Sequence, residues 1–501
     1  ERGTVWEESL IFLPKHMKLL GLSATIPNIK QLGEWISSIH GKDVKIVIEE
    51  KRPVPLHFFY QCGNEIVDNL NAIKRLRYGK PNKLHTIINY LREKEGLACI
   101  YFVFGRRRAE ELAFDLYSYN FLNQNEKTQI TRMYEDLLQR FDLKHERSAQ
   151  ELSPLIQRGI AFHHAGMLPT LKEVIERLFT SRLIKVIFTT ETFALGINMP
   201  SRSVIFDDLR KFYGHYVRAL KTRDFYQMAG RAGRRGIDTE GFVYCRINPQ
   251  RINAEEVKRI VYSPPEEVKS QLNTSYATIL NLYEKYQEDL FSIYPLSLHY
   301  FQTKKHQQTE AIKLIETKLK LLKEMNFIQG NSLTQKGQFA KSVYGYELFL
   351  SELYSEGILE QLDEFGLGIV ACAVVFEPRK NQHLLSLSKN SRRIKRACEE
   401  IYAAIKRKEQ RYRIYNASKM PYFHLSNAVE AWLRGTNFAK TMQLTDTDEG
   451  EMVRYFRMGI QVLREINDAK VSSQILREKI KETIRVMKRD VVDAEKQLRE
   501  G

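Results

Sequence analysis

The 501 residues suffice for about three to four domains at roughly 150 residues each, with several hydrophobic cores. The 78 Lys and Arg against 61 Asp and Glu leave a formal net charge of +17, with 28% charged and 43% hydrophobic residues. That balance excludes a disordered chain and suggests a polyanionic partner, although net charge bears on association and not on fold. The cysteines Cys62, Cys99, Cys245, Cys372 and Cys398 form no C-x-x-C pair. A disulfide framework and the usual zinc spacings are thereby excluded, and a reducing, intracellular setting is expected. The longest apolar runs, such as Phe365–Phe376, fall short of the ~20 residues that cross a bilayer, and no cleavable signal opens the chain. The start at Glu1, without Met or a helix cap, reads as the middle of something, so the chain is expected to be a fragment.

Residues 1–50 read as a helix followed by short β runs, among them Val44–Ile48, and as the tail of an α/β domain. From about 83 to 247, strand-like runs at Ala98–Phe104, Gly159–Phe162, Lys185–Thr189, Ser203–Phe206 and Phe242–Cys245 alternate with helices near 106–118 and 170–180. Such alternation predicts βαβ units and a mainly parallel sheet. The polar stretch 120–150 predicts a helical insertion. After Pro249 strands nearly vanish. Residues 252–345 are helical and end in Gly330-Asn331-Ser332-Leu333-Thr334-Gln335-Lys336-Gly337, a helix, turn and hairpin pattern similar to a winged helix. Residues 346–501 carry apolar positions at three and four spacings, the pattern of a helical bundle.

The strongest local signal is Gln227-Met228-Ala229-Gly230-Arg231-Ala232-Gly233-Arg234-Arg235-Gly236. Two arginines three apart on a helix share a face, and the glycines permit close approach, so the pair can grip a phosphate across a cleft. In isolation the same pattern reads by default as a solvated basic turn, and it is the other motifs that overturn this. Thr189–Pro200 and Ser23-Ala24-Thr25 each follow a strand-like run, where ligands of open parallel sheets bind. His163 and His164 are adjacent on a strand, so they point to opposite faces, and one buried and one exposed histidine is expected rather than a metal site. Between these motifs, residues 207–222 suggest a β-hairpin whose Phe212, Tyr213 and Tyr216 can stack on a base or lie plainly on the surface. The basic run Ser391–Arg413 is either a backbone-binding face or a solvated one.

The succession Ser23-Ala24-Thr25, then Phe102 to Arg107, Ala161 to Met167, Thr189 to Pro200 and Gln227 to Gly236 resembles motifs III to VI of superfamily 2 helicases. Within them it resembles the Ski2-like DExH-box group, RNA helicases of the Ski2/Mtr4 type. Glu1-Arg2-Gly3 with Val5-Trp6-Glu7-Glu8 resembles the segment after the DExH motif. Ser270–Tyr276 with Ile279-Leu280-Asn281-Leu282 resembles the SQFNxSYxxILNL element. Ala431-Trp432, Thr445-Asp446, Arg454 with Arg457 and Lys488-Arg489-Asp490 resemble the family's C-terminal helical DSHCT-like domain.

The resemblance implies an α/β RecA-like fold with a parallel sheet, plus a winged helix and an all-α helical bundle closing a multidomain ring. Residues 1–50 would end a first RecA-like domain, 51–248 would form the second, 249–345 the winged helix and 346–501 the bundle. It implies that Gln227, Arg231 and Arg234 of motif VI serve catalysis, the arginines reaching the ATP γ-phosphate. Gly196 and Asn198 of motif V would touch the nucleotide edge. Thr192, Arg106, His164, Arg454 and Arg457 would touch nucleic acid, and Ser23 and Thr25 would couple nucleotide state to strand separation. At Gly105 the family usually carries Ser, which puts a phosphate contact there in doubt.

No G-x-x-x-x-G-K-[ST] loop and no D-E-x-H occur in the chain, so by itself it is not expected to hydrolyse ATP. ATP and Mg²⁺ would be bound mainly by residues upstream, and no metal by this chain. The implied function is ATP-dependent 3′ to 5′ RNA unwinding for processing or decay. Its partners would be single-stranded RNA or a 3′-tailed RNA duplex and an RNA-decay or ribosomal assembly, in the cytoplasm, or the nucleus of a eukaryote. A Ski2-like DNA repair helicase and a non-catalytic nucleic-acid clamp are the alternatives. Ser297–Gln302 runs straight into Thr303-Lys304-Lys305, so the arch of eukaryotic members is expected to be absent.

Overall fold

The computed structural model describes residues 2–23, 26–49, 51–73, 81–194, 199–213, 216–270, 275–380, 382–415 and 418–493. The chain divides into two compact units. One contains Val47–Glu267 together with Ser23–Pro27, and the other contains the residues up to Leu22, Asn28–Ile46 and the chain from Val268 onward.

The α/β unit contains strands β1 (Leu56–Cys62), β2 (Glu65–Val67), β3 (Cys99–Phe102), β4 (Ile160–His163), β5 (Val186–Thr189), β6 (Ser203–Phe206), β7 (Arg210–Phe212), β8 (Val217–Ala219) and β9 (Gly241–Arg246). Seven of them form one sheet in the order β2-β1-β9-β6-β3-β5-β4, parallel throughout except for the β1–β2 pair. Every residue of β3, β4, β5 and β6 is buried. This follows from the βαβ connections, which lay helices on both faces of a parallel sheet and favour continuous apolar strands. The amphipathic helices Leu84–Glu93, burying Leu84, Ile87, Ile88 and Leu91, and Pro169–Thr180, burying Leu171, Val174, Ile175 and Leu178, supply part of that cover. The strands foreseen at 98–104, 159–162, 185–189, 203–206 and 242–245 appear within a residue or two. The polar stretch 120–150 is helical as expected. Its helix Gln124–Arg140 opens with a reciprocal capping box between Asn123 and Glu126, and the Tyr134 hydroxyl donates to the Ala149 carbonyl at 2.7 Å.

The expected strand at Val44–Ile48 does not form. A strand needs a neighbour for its ladder, and here Val44, Val47 and Ile48 lie exposed with no strand beside them among the described residues.

The second unit is helical. Its N-terminal helix Arg2–Ile11 is fastened to the chain beyond Val268 through Glu7, whose carboxylate accepts from the Leu298 N–H at 2.7 Å and the Ser270 hydroxyl at 2.8 Å. Asn28 exchanges two 2.9 Å hydrogen bonds with the Val268 backbone. The helix Lys305–Glu324 leads into a short antiparallel pair, β10 (Ile328–Gln329) and β11 (Ser332–Leu333), at the place where the sequence suggested a hairpin. Beyond it, the helix Glu364–Val375, apolar after its first residue and buried from Gly366 on, is wrapped by Ser426–Leu433, Glu449–Asp468 and Gln474–Met487, as a central bundle helix should be. Gly459 permits a close crossing, since a Cβ there would lie 2.9 Å from Cys372 Sγ. All five cysteines are buried and free. Among the described residues no helix is long and apolar enough to cross a membrane.

Candidate functional site

Because the strands of the main sheet are parallel, their carboxyl ends share one rim, and several separately read motifs fall on it. β3 runs out through Val103 to Gly105, which precedes the helix Arg106–Asp115. β4 ends beside His164, β5 beside Thr190, and β6 beside Asp207. The connection after β3 leads to β4 on one side and that after β6 to β9 on the other. The β3/β6 junction is therefore the switch-point crevice where open α/β sheets place ligands. Arg106 stands at this crevice, on the first turn of its helix, and Thr192, in the 3₁₀ turn Glu191–Ala194, is exposed and shares a 3.0 Å hydroxyl contact with Thr190.

His163 and His164 do face opposite ways, but both are buried. The expectation of one exposed ring fails because helices cover both faces of the sheet. His163 Nε2 meets Glu176 at 2.9 Å, and burial lowers its pKa although Glu176 opposes this. His164 Nε2 meets Glu110 at 2.9 Å while its Nδ1 accepts from the Gly166 N–H at 3.2 Å. Both His164 nitrogens are thus engaged inside the unit, at the start of the loop after β4.

The motif VI arginines are arranged differently from the sequence expectation. The helix Thr222–Ala229 ends at Gly230, so Arg231 and Arg234 lie in the loop beyond it and share no helix face. Two observations explain the break. Gly233 adopts φ +81°, a left-handed conformation that favours glycine, and Ala232 bridges Ser201 just before β6. The loop also lies so close to β9 that a Cβ on Gly241 would stand 2.7 Å from the Gly233 nitrogen. The motif VI loop is thus held at the amino ends of β6 and β9, and the Arg231 side chain reaches from it to motif V.

Within that loop the two arginines have separate surroundings. The Asp238 carboxylate accepts from Arg234 Nε and Nη2, both at 2.7 Å, and from its backbone N–H at 2.8 Å; this bidentate pairing raises the Arg234 pKa. Arg231 Nη2 donates to the Ala194 carbonyl of motif V, whereas its buried Nε–H has no acceptor among the described residues and burial lowers its pKa. A half-buried cation with an unspent donor fits an anionic ligand. Gln227 is exposed on the same helix.

Gly196, Asn198 and Thr25 lie outside the described residues, and Ser23 is exposed. On the helix Glu449–Asp468, Arg454 is exposed but Arg457 turns inward, donating to the Val492 and Val491 carbonyls, each at 3.0 Å. Arg457 thus ties its helix to the C-terminal turn. The hairpin foreseen in 207–222 is present as β7–β8. Phe212 and Tyr216 are about half exposed, the Arg218 guanidinium lies 3.8 Å from the Tyr216 ring centre, and the Tyr213 hydroxyl donates to Asp224 at 3.4 Å.

Sequence reasoning missed three groups. Arg52 donates to the Gly230 and Ala232 carbonyls at 2.9 and 2.7 Å. Glu266 accepts from the Thr222 and Arg223 N–H groups at 2.9 and 3.0 Å. At the rim, buried Arg246 is paired with Asp207 and bonded to Gln61 and Asn82. No motif marks these residues, because their partners are backbone groups or residues distant in sequence.

Comparison with known proteins agrees with the motif reading. The helicase conserved C-terminal domain matches residues 140–236, and the DSHCT (NUC185) domain matches residues 330–495. The antiviral helicase SKI2 of Saccharomyces cerevisiae is 31% identical over 405 residues, covering 64% of this chain and 31% of its own length. The exosome RNA helicase MTR4 of Homo sapiens is 32% identical over 352 residues, covering 64% and 33%. The mRNA transport homolog 4 of Caenorhabditis elegans is 35% identical over 336 residues, covering 60% and 33%. The chain spans about a third of the length of these curated relatives. The Ski2/Mtr4-type resemblance and the α/β RecA-like fold of the Val47–Glu267 unit are thereby borne out.

Proposed function

We propose that this chain, of Ski2/Mtr4 type by its domains and relatives, works inside an intact protein as part of an ATP-dependent 3′ to 5′ RNA helicase for RNA processing or decay. The observation that carries the reading is Arg231, whose guanidinium joins motif VI to the motif V carbonyl of Ala194 and keeps a buried Nε–H unspent among the described residues. In this reading Arg231 binds the γ-phosphate and stabilises charge developing on it. Gly196 and Asn198 line the nucleotide edge, and Gln227, Ser23 and Thr25 couple nucleotide to domain closure. Arg234 reaches phosphate only by leaving Asp238, so it acts first as the residue that shapes the loop. Mg²⁺ belongs with acidic residues of an upstream DExH motif. Arg106, Thr192 and Arg454 contact the RNA backbone, and Phe212 and Tyr216 on β7–β8 stack against the last base pair. Residues 249–345 form the winged helix and 346–501 the bundle, closing a ring around single-stranded RNA, in the cytoplasm or a eukaryotic nucleus.

The test is ATP hydrolysis by the upstream-extended protein with matched single-stranded RNA and DNA. Stimulation by RNA alone supports the reading. Equal stimulation by DNA moves the protein to the repair-helicase class, and none with either leaves a nucleic-acid clamp.

The two arginines of the helix Glu449–Asp468 should separate in the same preparation. Arg454→Ala is expected to weaken RNA binding while lowering the slope of log affinity against log salt by about one, as read by fluorescence anisotropy across a salt series. Arg457→Ala is expected to leave that slope unchanged and to cost about 1–3 kcal/mol in unfolding free energy, because the Val491 and Val492 carbonyls lose their donors.

A further inference from the structure

The chain enters the α/β unit at Val47 and leaves it at Glu267. Arg52 stands just inside the entry. Its Nε donates to the Val54 carbonyl at 2.8 Å, and its Nη2 to the carbonyls of Gly230 and Ala232, the two residues that flank Arg231. Glu266 stands just before the exit, and its two carboxylate oxygens each take one N–H from the first turn of the helix Thr222–Ala229. The preceding residue, Lys221, provides no side-chain cap, so Glu266 fills that place with a full negative charge, which suits the N-terminal end of the helix dipole. The exit segment holds the same helix twice more, through Thr222 Oγ1 to the Arg259 carbonyl at 3.2 Å and the Tyr226 hydroxyl to the Val261 carbonyl at 2.6 Å.

We infer that Arg52 and Glu266 are positioning residues for Arg231. The two connections of the unit grip the motif VI helix and loop from opposite ends, so that displacement of either connection is felt at the Arg231 guanidinium. Arg52 suits this task because its planar fork satisfies both carbonyls at once and fixes the peptide planes on either side of Arg231. A lysine's ammonium can still donate to the carbonyls, but its flexible stem lacks the Nε–H that Arg52 gives to Val54, so it does not fix the plane of the loop. The inference rests on the reading of Arg231 as the nucleotide-contacting arginine, and it adds how that arginine is aimed.

The experiment uses the intact, upstream-extended protein and measures RNA-stimulated ATP turnover, RNA affinity without nucleotide, and the thermal midpoint. Arg52→Gln and Glu266→Gln are each expected to lower kcat roughly 10- to 100-fold, the scale of an ångström-sized misplacement, with nucleotide-free RNA affinity and thermal midpoint close to wild type. Arg52→Lys should retain an intermediate kcat and serves as the milder variant should Arg52→Gln fold poorly. In an Arg231→Ala background, Arg52→Gln should cause no further loss, because both act through one group. Wild-type kcat in Arg52→Gln and Glu266→Gln beside an inactive Arg231→Ala would overturn this inference and leave the proposed function standing. Full turnover in Arg231→Ala would instead overturn the reading on which it rests. A parallel fall of kcat, RNA affinity and thermal midpoint in Arg52→Lys and Glu266→Gln would reduce both residues to structural ties.

Discussion

Arg231→Ala in the intact protein should reduce RNA-stimulated ATP turnover by about 10³-fold or more, the contribution measured for arginine fingers in phosphoryl transfer, while RNA affinity without nucleotide stays near wild type. The surroundings of Arg231 argue for so large and so selective an effect. Its guanidinium is half withdrawn from water, which lowers its pKa through desolvation, and one N–H is kept without an acceptor among the described residues. A desolvated donor held in place stabilises developing charge more than a solvated one, because neither water nor a side-chain rotor must reorganise at the moment of reaction. Arg234→Ala should behave differently. Arg234 is spent on Asp238, whose side chain is 2% exposed, so its removal leaves a buried carboxylate with the residue 234 backbone N–H and, as its nearest cation, Arg202 at 3.4 Å. The expected signature is a lower thermal midpoint together with slower turnover. If Arg231→Ala lost RNA affinity and turnover equally, Arg231 would be a backbone contact and the two arginines would have to exchange roles.

The contrast between these arginines also shows what the sequence made legible. The strands β3 to β6 and β9 were readable because burial on both faces turns each into a short continuous apolar run between helical stretches. β1 escaped notice, since Leu56–Cys62 mixes polar residues with aromatics, while the more strand-like Val44–Ile48 has no neighbour to pair with among the described residues. The succession of motifs placed Arg231 and Arg234 in one segment. It did not reveal that Gly233 turns the chain left-handed between them, which is what gives them different partners. The partners of His164 and Arg457 were hidden for a related reason. Helical or strand periodicity says which way a side chain leaves the backbone, not whether Glu110 or the Val491 and Val492 carbonyls wait at the far end. Arg52, Glu266 and Arg246 carry no local signature, because each is defined by partners between about 40 and nearly 200 positions away, a kind of relation that short-range patterns do not encode.

Arg246 carries the largest expected effect on stability. It lies at the carboxyl end of β9, 5% exposed, paired with Asp207 at the end of β6. Its Nε donates to Gln61 Oε1 at 3.0 Å and its Nη2 to the Asn82 carbonyl at 2.6 Å, while the Tyr101 hydroxyl of β3 donates to Asp207 at 2.9 Å. The network therefore ties together four strands at the rim where the proposed RNA contacts stand. Gln61 and Asn82 are neutral, so Asp207 alone balances the buried guanidinium charge. Asp207→Ala strands that charge and is expected to cost about 3–5 kcal/mol, the usual loss when one partner of a buried pair is removed, measured by urea unfolding of the full chain at fixed slope. Replacing both residues with apolar side chains, Asp207→Leu with Arg246→Met, should cost clearly less than Asp207→Ala, because desolvation of the cation disappears along with its partner. Equal losses in the two variants would mean that the pair contributes through packing and not through charge. The same comparison bears on function. If the apolar pair restores stability but RNA affinity stays low, the network serves the geometry of the rim, holding β3 and β6 so that Arg106 and Thr192 face one strand of nucleic acid; if affinity returns with stability, the network acts only by keeping the unit folded.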